Sequence, residues 1–177
     1  MFAELSSKAL KSFFESSPIP LTLASPVFDD CPVVLCNEPF MTLTGYTRDE
    51  VLGRNCRFLQ GGQTDPKARG ALRYAIESRC EALVPITNYR KDGSEFDNYV
   101  FILPIFDSSG RLLYVLGSQC DISRSLRAMS PIEHAQMLDE GIELANPVLT
   151  VRDHLRVKAT KPFTEAMRTV LTSEIYD

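Results

Sequence analysis

Residues 83–121 read LVPITNYRKDGSEFDNYVFILPIFDSSGRLLYVLGSQCD and carry the main clue to the architecture. The stretch divides into three runs rich in β-branched and aromatic residues, at 83–90, 95–105 and 112–121. Both connecting segments contain Asp and Gly, which accept the left-handed backbone angles of tight hairpin turns. The stretch therefore predicts an antiparallel meander of three strands.

The residues before this meander complete a sheet. Two short β-rich runs, 21–25 and 33–36, are followed by short helical pieces between 39 and 59. A longer helix is predicted to begin at Asp65, an N-cap residue followed by a first-turn proline. Two strands, a helical middle and three strands predict an α+β fold, a five-stranded antiparallel sheet with helices on one face.

Both flanks of this sheet are predicted to be helical. Apolar residues at spacings of three and four predict an amphipathic helix over 2–15. After a capping box at Ser130, the tail is expected to form about three short helices, with a break at Asn146 and Pro147. The predicted organisation is an N-terminal helix (1–18), a core domain (19–125) and a helical C-terminal extension (126–177).

The composition is typical of a globular protein. The chain is 44% hydrophobic and 24% charged, with a net charge of −4 that does not favour nucleic acid or an anionic membrane. No apolar run approaches the roughly 18 residues of a membrane span, and Glu4 and Lys8 interrupt any signal peptide. The five cysteines show no metal-type pairing, so we expect reduced thiols, no metal site and a cytoplasmic protein.

Three carboxamides interrupt apolar positions on the predicted strands. Because side chains alternate between the two faces of a strand, Asn88, Asn98 and Gln119 each share a face with apolar neighbours. Amides of this kind can satisfy one another or buried backbone groups. Three on one sheet face also suit a flat heterocycle whose edge alternates C=O and N–H groups, as flavin does.

The opposite face of the sheet is apolar as well, with Tyr99, Phe101 and Leu103 on one strand and Tyr114 on the next. Such a face is usually covered. The N-terminal helix, the C-terminal extension and a second copy of the chain are the three candidates.

The segment GRNCRFLQG, residues 53–61, resembles the signature of the light-oxygen-voltage (LOV) branch of the PAS family, built around a photoactive cysteine. The resemblance extends over about residues 20–125. It implies a PAS fold and a blue-light photoreceptor without a fused effector domain. Val100 departs from the aromatic residue of many relatives, so the lifetime of the light state is not carried over.

The resemblance also assigns roles to individual residues. Cys56 would bond to the excited flavin, Arg57 and Arg73 would hold its phosphate, and Asn55 and Gln60 would contact the ribityl chain. The remaining cofactor-binding positions are Thr22, Leu59, Asn88, Asn98, Val100, Ile102 and Gln119. Paired guanidinium groups suit a phosphate, which favours FMN, with FAD as the alternative.

The implied chemistry is a reversible covalent adduct between flavin and Cys56, formed in blue light and broken in the dark. Protonation of the flavin nitrogen would make the Gln119 carboxamide reorient, and the segment 121–131 would pass this change to the extension. We expect a homodimer whose association changes with light, acting on a separate, unknown protein partner.

Three other functions are weighed against this one. A hydrolase with Cys56 as nucleophile would need a nearby base, but both histidines, His134 and His154, lie in the tail, so we expect no enzymatic activity. A light-regulated DNA-binding protein would use the extension, yet residues 124–177 hold seven Lys/Arg against eight Asp/Glu. A PAS domain with another ligand would leave Cys56 a plain buried cysteine.

Overall fold

The computed structural model describes residues 8–123, 129–150, 154–157 and 162–176. The part of the predicted N-terminal helix before residue 8 lies outside these ranges. Helix α1 spans Lys8–Ser16 and ends just before Pro18, whose ring cannot continue a helix.

The predicted α+β fold with a five-stranded antiparallel sheet is confirmed, and the strands follow the order β2-β1-β5-β4-β3. Their bounds are β1 Leu21–Ala24, β2 Val33–Cys36, β3 Ala82–Tyr89, β4 Glu95–Asp107 and β5 Leu112–Asp121. Central strand β5 pairs with both β1 and β4. In this register Gln119 lies opposite Val100, and Ser118 lies opposite Phe101.

The chain between β2 and β3 forms the helical layer on the inner face of the sheet. It contains α2 Glu38–Thr44, α3 Arg48–Val51, a 3₁₀ turn Cys56–Leu59 and α4 Pro66–Glu77. Buried Asn37 ties this layer to the sheet: its Oδ1 accepts from the Leu21 and Phe40 amides at 2.8 and 3.2 Å. Asp65 caps α4 by accepting from the Lys67 amide at 2.8 Å, as the sequence predicted.

The outer face of the sheet is covered by the chain itself. Helices α5 (Pro131–Val148) and α6 (Phe163–Tyr176) join α1 in one apolar core with the sheet. The fully buried members include Leu10, Phe14, Phe101, Leu103, Leu138 and Met167. Of the three candidates for this cover, the two flanking segments occupy the face.

The C-terminal extension differs from the predicted run of about three helices. Helix α5 continues through Pro147 to Val148. A short strand β6, Leu155–Val157, pairs with the C-terminal end of β4, beyond the end of β3. The predicted break failed because Asn146 caps no new helix. Its carboxamide instead exchanges hydrogen bonds with the Val157 backbone, at 3.2 and 3.4 Å.

The structure of the extension bears on the DNA-binding alternative and on the predicted signalling segment. The described helices of the extension lie on the sheet with a strand between them, an arrangement unlike a helix-turn-helix. The predicted signalling segment, 121–131, is described at its two ends, whereas residues 124–128 lie outside the described ranges.

Within the described ranges, no helix combines the length and apolarity required to cross a bilayer. No set of three or more His, Cys, Asp and Glu side chains there could hold a metal ion. The cytoplasmic location and the domain limits stay predictions.

Candidate functional site

A cavity of about 310 Å³ lies between the inner face of the sheet and the helical layer. Eleven of the twelve residues predicted for the site line it. They are Thr22, Asn55, Cys56, Arg57, Leu59, Gln60, Arg73, Asn88, Val100, Ile102 and Gln119. The twelfth, Asn98, is fully buried and donates from Nδ2 to the Asn88 Oδ1 atom at 2.9 Å.

Cys56 is presented to this cavity by the 3₁₀ turn that it begins. The preceding residue, Asn55, caps the turn by accepting from the Arg57 amide at 2.9 Å. The Cys56 sulfur lies 3.9 Å from the Thr22 hydroxyl oxygen, to which it donates a weak hydrogen bond. The local backbone therefore fixes the sulfur against the wall of the cavity.

The Cys56 thiol is in its protonated form at neutral pH. Desolvation by the surrounding protein raises its pKa to about 12, although part of its surface faces the cavity. The thiolate is the nucleophilic form of cysteine. Neither His134 nor His154 lines the cavity to act as a base. The thiol is therefore not activated as a hydrolytic nucleophile would be.

A tight loop before β2 is joined by a hydrogen bond and an ion pair to the 3₁₀ turn of Cys56. Asp30 and Cys31 both have left-handed backbone angles, with φ of 66° and 46°. Asn55 Nδ2 donates to the Asp30 carbonyl at 2.6 Å, and Arg57 pairs with the Asp30 carboxylate at 2.5 Å. Cys31 thereby becomes a second thiol in the cavity wall, which the sequence did not indicate.

Three arginines line the cavity, one more than the sequence predicted. Arg69 and Arg73 lie one turn apart on α4, are exposed, and make no ion pair within the described part of the chain. The ion pair of Arg57 is exposed on both sides and hence weak. Its guanidinium can therefore turn to another anion. The four-residue spacing of Arg69 and Arg73 was the available sign of this third cation.

The amides leave two buried oxygens without hydrogen-bond partners. Asn88 is satisfied inside the protein, since its Nδ2 donates to the Leu59 carbonyl at 3.2 Å and its Oδ1 accepts from Asn98. Among the described residues, Asn98 Oδ1 and Gln119 Oε1 receive no hydrogen bond. An unsatisfied buried acceptor costs about 1–3 kcal/mol. A ligand with N–H donors at its edge would recover this energy.

Gly117 keeps the cavity open beside these amides. A Cβ atom there would lie 2.8 Å from the Thr22 hydroxyl oxygen and 3.2 Å from Gln119 Nε2. The rest of this wall is apolar, with Ile86, Val100, Ile102 and Val115 on the strands. An apolar slot with a few fixed polar groups and arginines at one side suits a flat heterocycle that carries a phosphate, and the residues present fit a flavin.

Comparison with known proteins identifies the family. A PAS domain model matches residues 20–124. The solved LOV domain of the Erythrobacter litoralis EL346 blue-light activated histidine kinase is 43% identical, with a TM-score of 0.58, and the match covers 59% of this chain and 96% of that domain. The chain belongs to the LOV branch of the PAS family. The predicted membership of the LOV branch is confirmed, whereas the lack of a fused effector domain stays a prediction.

The similarity to another LOV protein extends beyond the PAS core. The crystal structure of a Rhodobacter sphaeroides LOV protein matches with a TM-score of 0.78 and 29% identity, over 96% of this chain and 94% of that one. The packing of the flanking helices on a LOV core is therefore not peculiar to this chain.

The expectation that the protein has no enzymatic activity is contradicted by its relatives. A blue-light-activated histidine kinase of Rhizobium johnstonii is 41% identical over 144 residues, and other curated relatives carry the same name. The Rhizobium match covers 80% of this chain and 41% of that kinase. The chain thus spans well under half of a relative whose name includes an enzymatic activity.

Proposed function

We propose that this LOV domain is a blue-light sensor that binds a flavin, preferably FMN, in the cavity beside Cys56. One observation carries the proposal: a single apolar cavity unites a protonated thiol, three arginine side chains and the buried Gln119 oxygen that lacks a partner. The relatives named as activated by blue light support the same function.

Flavin would supply the absorption of blue light and, once excited, a ring carbon to which the Cys56 sulfur bonds while the thiol proton moves to the adjacent ring nitrogen, both steps reversing in the dark. The chain holds the thiol ready for this reaction. Because its pKa is about 12, Cys56 keeps the proton that the reaction transfers. Thr22, in weak hydrogen-bond contact with the sulfur, limits the positions that the thiol can take.

The other side chains of the cavity would bind and orient the flavin. Arg57, Arg69 and Arg73 offer guanidinium groups to a phosphate. Gln119 carries a buried oxygen that can accept from a ring N–H, and Asn98, which is bonded to Asn88 of the cavity wall, carries another buried oxygen without a partner among the described residues. Asn55, whose amide holds the loop and the 3₁₀ turn, would position Cys56 as well as contact the ligand.

Gln119 is placed to report the light reaction. Its Nε2 makes a single long hydrogen bond to the Thr22 hydroxyl, at 3.5 Å, and its Oε1 has no partner among the described residues. Little therefore opposes reorientation of this amide when the group facing it gains a proton. Gln119 lies two residues before Asp121, the last residue of β5, whose carboxylate pairs with Arg90 at 2.5 Å.

The output would be a change in self-association or in binding of another protein. Helix α5 exposes three large apolar residues, Met137, Leu144 and Val148, and Leu144 is 79% exposed. Their spacing of seven and four places them along one side of the helix. A second copy of the chain would cover this side.

Association is tested by measuring molar mass by light scattering in the dark and under blue light. Leu144→Asp should give a monomer in the state in which the parent protein is dimeric. Tyr74→Asp is the matched control, because Tyr74 is 70% exposed on α4, away from this surface. A dimer unaffected by Leu144→Asp would contradict this assignment.

The sensor function is tested on the purified chain by absorption spectroscopy. We expect a bound flavin whose blue absorption bleaches on illumination and recovers in the dark, and mass spectrometry of the released cofactor distinguishes FMN from FAD. Cys56→Ala should retain the flavin and lose the bleaching, whereas Cys80→Ala, at an exposed cysteine outside the cavity, should behave as the parent. Bleaching and recovery in Cys56→Ala would overturn the proposal.

A further inference from the structure

Ser118 lies directly before Gln119, on the other side of the sheet. Because strand residues alternate between faces, Gln119 lines the cavity while Ser118 points to the outer core. Ser118 is fully buried, and its hydroxyl oxygen lies 2.8 Å from Nε2 of His134 on α5. A hydrogen bond therefore joins the strand that carries the reporting amide to the helix of the extension.

His134 is held in one position by its surroundings. It is 3% exposed, and its ring stacks on Phe101 with centroids 5.4 Å apart and planes at 18°. Phe101 is the register partner of Ser118 on β4, and it also contacts Phe163 of α6 edge-on. The imidazole thus lies over the β4–β5 pair and beneath the helical cover.

The His134 ring is neutral at neutral pH, because burial lowers its pKa to about 4. A neutral imidazole has one N–H donor and one acceptor nitrogen, and a serine hydroxyl can donate or accept. The bond can therefore exist in either direction, and the tautomer of His134 follows the direction. Such a pair can therefore adopt two discrete hydrogen-bonded states.

We infer that Ser118 and His134 are the positioning residues that couple the cavity to α5, an inference that rests on the proposed light-sensing function. When Gln119 reorients, the adjoining β5 backbone and Ser118 shift with it. Both side chains are buried away from bulk solvent, so losing their hydrogen bond costs about 1–3 kcal/mol. Helix α5 must then follow the strand, or the His134 tautomer must change.

The apolar contacts of α5 are less suited to this role. Ala135 and Leu138, the buried neighbours of His134 on the helix, belong to the shared hydrophobic core. Apolar contact has no preferred direction and tolerates small displacements at little cost. A short directional bond beside Gln119 responds to the same displacement.

The coupling can be observed directly, because the chain contains only two histidines. In protein labelled with nitrogen-15 histidine, the ring nitrogen signals of His134 should shift under blue light and return at the rate at which the flavin absorption recovers. Exposed His154 is the internal control and should stay unchanged. An unshifted His134 signal in a chain whose flavin bleaches would overturn the inference, whereas absence of bleaching would refute the proposed function instead.

Variants of Ser118 separate coupling from mere packing. In the parent, illumination should change the hydrogen-exchange rates of α5 amides by about fivefold or more, the lower end of typical coupling between sites. Ser118→Ala should bleach normally while this change falls below about twofold, and Ser118→Thr, which keeps the hydroxyl, should restore it. An undiminished light response of α5 in Ser118→Ala would contradict the inference.

Discussion

Burial of His134 makes the stability of the fold depend on pH in a way that one double variant should remove. The pKa of His134 is about 4 in the folded chain and 6.5 for a solvated histidine. Between these values the unfolded chain binds a proton that the folded chain excludes. The free energy of unfolding should therefore fall as the pH falls, by about 1.4 kcal/mol per pH unit and by about 3 kcal/mol in full.

The variant combines His134→Phe with Ser118→Ala. Phenylalanine keeps a ring that can stack on Phe101, and the alanine avoids leaving a buried hydroxyl without a partner. The assay is urea unfolding of the parent protein and the double variant at several pH values between about 7 and 4. Carboxylates contribute equally to both proteins. The difference between their free energies of unfolding should therefore change by about 2 kcal/mol from pH 6.5 to pH 5. Parallel curves would refute the assigned burial of a neutral imidazole.

Three further substitutions, one of them with a matched control, test the site and the extension. Arg69→Gln should raise the Kd for FMN about tenfold while changing that for riboflavin, which lacks the phosphate, by less than about twofold; equal changes would contradict a phosphate contact. Gly61→Ala places a Cβ 2.3 Å from the Tyr89 ring and should lower the free energy of unfolding, measured in urea, by about 1–3 kcal/mol. Gly62→Ala is the control: its Cβ meets open space, so the same free energy should change by less than about 0.5 kcal/mol. Asn146→Ala removes two hydrogen bonds to β6 and should speed hydrogen exchange there at least about tenfold; unchanged exchange would contradict the role of Asn146 in holding this strand.

The strands and the inner wall of the cavity could be predicted because local patterns determine them. Alternation placed Asn88 and Gln119 on the cavity side, and turn chemistry fixed the order of the meander. The structure adds that Asn88 and Asn98 bond to each other, so that part of the amide set is satisfied internally. Strand alternation assigns a face to a side chain, but it does not assign partners.

Features that depend on distant segments were missed. Strand β6 has only three residues, too few for a pattern, and pairs with the part of β4 that extends beyond β3. Helix α5 passes Pro147 because Asn146 is held by that strand. Arg69 was overlooked because an arginine on an exposed helix face is ordinary, and only the fold brings it to the same cavity as Arg57.

The proposed function requires that the Cys56 thiol reacts reversibly when the bound flavin absorbs blue light. Infrared difference spectroscopy measures this directly, because the S–H stretch of a thiol is lost when its sulfur forms another bond. We expect an S–H band that disappears on illumination, returns in the dark with the flavin absorption, and is absent from the difference spectrum of Cys56→Ala. Cys31→Ala, which removes the second thiol of the cavity wall, should retain the band. A light-dependent S–H band that persists in Cys56→Ala, or flavin bleaching with no loss of S–H in the parent, would contradict a reversible reaction at Cys56.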